Sequence, residues 1–140
     1  MTISSKYHDL CRQVLNLDLS IRFAGIATSN GKILATLYRK GVQPLLSPQE
    51  SELAIMQSVI RMGIRRTFEQ KLGKTIYAMA VYEKVKRATI SLFSGEEGID
   101  KYNDSYLIVS FEKEANAESI INGKILPLLR GKIGKGLAMA

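Results

Sequence analysis

The chain has 140 residues, 46% of them hydrophobic, with 20 Lys and Arg against 13 Asp and Glu. That length suits a single domain, and no run of about 18 apolar residues is present to span a membrane. The polar start MTISSKYHDLCRQ has no signal-peptide core and the lone Cys11 can form no internal disulfide, so a cytoplasmic location is expected. The net charge of +7 is uneven: residues 51–90 hold eight Lys and Arg against three Asp and Glu. A basic bias of this kind suits nucleic acid, an acidic lipid surface or an acidic protein partner, or serves only solubility.

Residues 5–16, SKYHDLCRQVLN, space Tyr7, Leu10, Cys11, Val14 and Leu15 as one face of a short amphipathic helix. Residues 21–39, IRFAGIATSNGKILATLYR, read as two strands joined by Asn30-Gly31, which predicts a two-residue type I′ hairpin turn. In the first strand Ile21, Phe23, Gly25 and Ala27 share one face, and Arg22, Ala24, Ile26 and Thr28 the other. Both faces are largely apolar, so an interior strand is expected. Ser47-Pro48-Gln49-Glu50 then supplies a capping box with proline at the first helical position. The helix it opens should run to about residue 72, with Gly73 as its stop.

Residues 75–82 and 88–93 predict two more strands around a tight link at residues 83–86, and residues 106–111, YLIVSF, a fifth strand buried on both faces. The loop of residues 94–104 carries Glu96, Glu97, Asp100 and Asp104, without the alternation of a calcium loop. Asn116 can cap a last helix that Pro127 should kink or end. Residues 131–140, GKIGKGLAMA, read as a flexible basic tail after a domain spanning residues 1–130.

This order of elements, helix, two strands, helix, three strands, helix, resembles the roadblock (dynein light-chain-like) family within the roadblock, longin and profilin-like fold group. The matching pieces are IRFAGIATSNGKILA, SELAIMQSVIRMGIRRTFEQKLG, IYAMAVYEK, ATISLFSG, YLIVSFEKEAN and AESIINGKILPLL, over about residues 5–130. The resemblance implies an α+β fold with one five-stranded antiparallel sheet flanked by helices. It also implies a non-enzymatic dimer without a cofactor, acting as a scaffold or regulator of small GTPases.

On the central helix, Leu53, Met56, Ile60, Ile64, Thr67 and Phe68 form a broad face expected to cover the sheet. Ile55 and Met62 lie on the far side beside Ser58 and Val59, with Arg65 and Arg66 flanking. These six residues are either surface positions or a seam for a second copy of the chain, and a homodimer seam is the expectation. Lys71, Lys74, Lys84, Lys86 and Arg87 could converge where the helix end meets the hairpin turn, a patch for an anionic partner such as nucleic acid. A third reading is a small-molecule sensor with its ligand beneath the terminal helices. His8 and Cys11 fall short of the donor set of structural zinc, and no nucleophile elbow is present.

Overall fold

The structure is a computed structural model describing residues 3–92 and 105–131. The acidic loop of residues 94–104 and the tail beyond Gly131 lie outside the described residues. The elements are α1 (Ile3–Leu15), β1 (Ile21–Thr28), β2 (Ile33–Tyr38), α2 (Pro48–Arg65), a 3-10 turn (Arg66–Phe68) and α3 (Glu69–Leu72). They continue with β3 (Tyr77–Val81), β4 (Val85–Leu92), β5 (Ser105–Glu112), α4 (Ala117–Ile120), a π turn (Ile121–Ile125) and α5 (Leu126–Gly131). The strands form one antiparallel sheet in the order β2-β1-β5-β4-β3. The two runs expected to be buried on both faces, β1 and β5, are central strands.

Alternation along the strands gives the sheet two unequal faces. One presents Ala24, Ile26, Leu107, Val109, Phe111, Ala88, Ile90 and Leu92, and takes the buried side of α1 together with Ile120, Ile121, Ile125, Leu126 and Leu129 of the terminal helices. The other carries smaller and more polar residues, and its apolar side chains Phe23, Ala27, Tyr106 and Ile108 are buried against α2. A register shift between Ile21 and Phe23 places Ile21 opposite Phe111, in the main core, rather than on the face of Phe23. Arg22, at the bulge, instead pairs with Glu112 at 3.2 Å.

The hairpin turn differs from the type I′ expectation. Only Gly31 has positive φ, at 89°, while Asn30 does not. The Thr28 and Gly31 backbones close the turn, Gly31 N donating to Thr28 O at 2.9 Å and Thr28 N to Lys32 O at 2.9 Å. The loop is thus three residues with a glycine bulge, in which only one position needs left-handed backbone. A Cβ at Gly31 would overlap Sδ and Cε of Met56, because α2 lies over this turn. At Gly25 the ring of Phe23 folds across the space a side chain would fill, and packs against Tyr38 with the rings tilted at 53° and their centroids 4.7 Å apart.

Both caps form as read. Glu50 N donates to Ser47 Oγ at 3.1 Å and Ser47 N to Glu50 Oε1 at 2.9 Å, while Asn116 Oδ1 accepts from Ser119 N. The helix that Ser47 opens narrows through the 3-10 turn before stopping at Gly73, φ 88°. Pro127 neither ends nor interrupts the terminal helix. The chain widens upstream, with Leu126 N reaching Ile121 O across five residues, and helix resumes through the proline.

Candidate protein-interaction site

Because the sheet face under α2 offers little apolar area, it absorbs only a narrow stripe of the helix: Ile55, Val59 and Met62, each 2% exposed. The face assignment made from the sequence is therefore inverted. Ile55, Val59 and Met62 belong to the protomer's own core and are not available as an outward seam. Ser58 is half-buried and bonds back to Ala54 O, and Arg66 donates to Tyr106 Oη at 2.7 Å with its guanidinium 5.7 Å from the ring centroid. Of the six seam residues, Arg65 and Arg66 stay exposed.

The broad stripe expected to cover the sheet instead faces outward. Leu53 is 58% exposed, Ile60 53%, Ile64 67% and Phe68 61%, with Met56 beside them over the hairpin turn. The sheet ends in β3, an edge strand of five uncharged residues, YAMAV, with Met79 and Val81 exposed, and the side of α2 toward it carries Gln57, Ser58, Arg61 and Arg65. An uncharged, unprotected strand edge and an exposed apolar helix face are each surfaces suited to pairing. The sequence signal for this arrangement was the poverty of one sheet face. Gly25, Ala27, Ser110, Thr89 and Arg87 alternate with the apolar set and leave no room for six large helical side chains.

The five basic residues do not gather in one patch, although Lys84 and Arg87 line the same cavity. Lys74 precedes β3 and Lys84 follows it, so the strand alone, at about 3.4 Å per residue, holds them ~17 Å apart. Lys71 stays with Lys74 at the helix end. Lys86 turns to the face of the terminal helices and donates to Ala115 O at 2.7 Å, whereas Arg87 turns to the α2 face. The convergence expected of these five positions is absent because alternation along β4 sends neighbours to opposite faces.

Two cavities flank α2. One, of about 510 Å³, opens beneath its N-terminal half, walled by Phe23, Leu45, Leu46 and Leu53 with Tyr38 and Arg87. A smaller one, of about 80 Å³, lies between α2 and β3 and is lined by Arg61, Arg65, Arg87, Ser58 and Tyr82 among others. The space beneath the terminal helices, where a sensor's ligand was expected, is occupied by the main core. On α1, His8 is exposed and Cys11 buried; burial pushes the Cys11 thiol up to about 12.

No family model and no curated protein matches the chain by sequence. Solved structures do match its fold. A Roadblock/LC7 domain from Streptomyces avermitilis superposes with a TM-score of 0.66 at 12% identity, covering 95% of this chain and 98% of that one. The gliding protein MglB from Thermus thermophilus gives 0.68 at 13% identity, covering 97% and 94%. A structure described as MglB with tetrameric arrangement gives 0.68 at 14%, covering 97% and 93%. The resemblance drawn from element order is borne out as architecture: this chain has the roadblock fold.

Proposed function

We propose that the protein is a non-enzymatic, homodimeric interaction module that scaffolds or regulates a small GTPase. Two observations support this most: the outward apolar stripe of α2, Leu53, Ile60, Ile64 and Phe68, and the uncharged edge strand β3. A second copy related by a two-fold axis would cover the stripe with its own and present a matching strand edge. The tetrameric arrangement of one structural neighbour supports self-association, and the roadblock fold supports a GTPase as the partner.

Light scattering tests the dimer. The native chain should run at twice its 15.6 kDa mass, and the Ile60→Asp/Ile64→Asp variant should be a monomer with an unchanged circular dichroism spectrum. A native monomer, or a variant that stays dimeric, overturns the reading. The GTPase partner is tested by adding the protein to purified small GTPases of the source cell. A change in GTP hydrolysis or nucleotide exchange is expected, and no change in any of them argues against regulation.

A further inference from the structure

We propose that the groove beneath the N-terminal half of α2 receives an acidic, apolar segment of a partner protein, with the Arg87 guanidinium as the anchor for its carboxylate. The proposal rests on the interaction-module reading and deepens it by naming the partner's chemistry. It does not require the dimer.

Arg61 and Arg65, which share the smaller cavity with Arg87, are exposed to solvent, whereas Arg87 is half-buried. Arg22 has Glu112 and Gln43 O, Arg39 bonds Ile21 O and Asp18 O, and Arg66 bonds Tyr106. Arg87, half-buried on the α2 face of β4, makes no hydrogen bond or ion pair among the described residues. Burial lowers its pKa, and the like charge of Arg61 acts in the same direction. A desolvated guanidinium without an acceptor is costly, and an incoming carboxylate would satisfy it with two parallel, charge-assisted bonds.

The shape of the site favours a peptide over a bare anion. Beside Arg87 the lining includes apolar Phe23 and Leu46, with Leu45 more than half exposed at 56%. A cavity of about 510 Å³ has room for several side chains. The lining carboxylates do not close it. Glu50 is committed to the Ser47 amide, and Glu83 sits exposed in the β3–β4 turn beside Lys84. Leucine-like side chains thus meet the wall while an adjacent carboxylate meets Arg87.

The test is an NMR titration of the full chain with a blocked hexapeptide of alternating leucine and glutamate, its leucine–glutamine counterpart, and inorganic phosphate. The glutamate peptide should shift the resonances of Arg87, Tyr82 and Leu46. The glutamine peptide should bind about tenfold more weakly, and phosphate should neither shift these resonances nor compete. Arg87→Gln should abolish the preference for glutamate, and Leu46→Asp, at an exposed position, should abolish binding while leaving the fold and Arg87 in place. Failure of the glutamate peptide to bind, equal binding of both peptides, or displacement by phosphate overturns the proposal. If the chain dimerises but leaves the peptide unbound, the groove assignment alone fails.

Discussion

Asp18 shows how a single exposed turn couples charge to stability. Its carboxylate accepts from Ser20 Oγ at 2.7 Å, Ser20 N at 2.9 Å and Lys124 Nζ at 3.1 Å, which tie the start of β1 to the terminal helix. These bonds lower its pKa from 3.8 to about 2, the Ser20 hydroxyl contributing most. Folding therefore favours the charged form. The stability it contributes is complete above the ordinary carboxylate range and is lost as pH falls from about 4 towards 2. Asp18→Asn should lower the urea midpoint at pH 6 and have little effect near pH 2, which paired denaturation curves would show; an equal loss at both pH values would contradict the linkage. Individual residues were also where sequence reading did well: the Ser47–Glu50 box and the Asn116 cap act within one turn of chain, so their geometry needs no tertiary information.

Elements were legible in kind and less so in orientation. Five strands and the principal helices stand where periodicity placed them, because β1 and β5 carry apolar residues on both faces and α1 on one. The outer and inner faces of α2 were not legible. Both are apolar, and the choice between them depends on how much hydrophobic surface the sheet offers, a property of β1, β4 and β5 together. The β1 bulge at Arg22 and the wide turn before Pro127 were missed for the same reason, since each is a local concession to packing between distant segments. The inversion of α2 has a sharp consequence. Val59→Asp should cost roughly 3 kcal/mol or more, because it buries a carboxylate against Phe23 and Ile108, whereas Ile60→Asp, one residue on, should cost under about 1 kcal/mol in the monomer. Chemical denaturation of the two variants decides it, and a larger loss at Ile60 would restore the opposite orientation.

At the scale of the whole molecule, a rich sheet face sealed by α1 and the terminal helices supplies the stable core, while the poor face holds α2 by a few residues. That imbalance leaves the outer side of α2, the β3 edge and the groove around Arg87 open to other molecules. The architecture could be read from the order of elements, and the partner-facing surface could not, since it is defined by what the core fails to cover. Cys11 provides a clean way to interrogate that surface: buried, with its pKa raised to about 12, it stays inert to mild oxidants while a new thiol reacts. The most direct measurement is disulfide cross-linking of single-cysteine replacements along α2, Leu53→Cys, Met56→Cys, Ile60→Cys and Ile64→Cys, at concentrations where the native chain is assayed. Near-complete covalent dimer at one or more of these positions, with intact fold, is the predicted result. Free thiols and monomers at all four would contradict the claim that this helix meets its own copy.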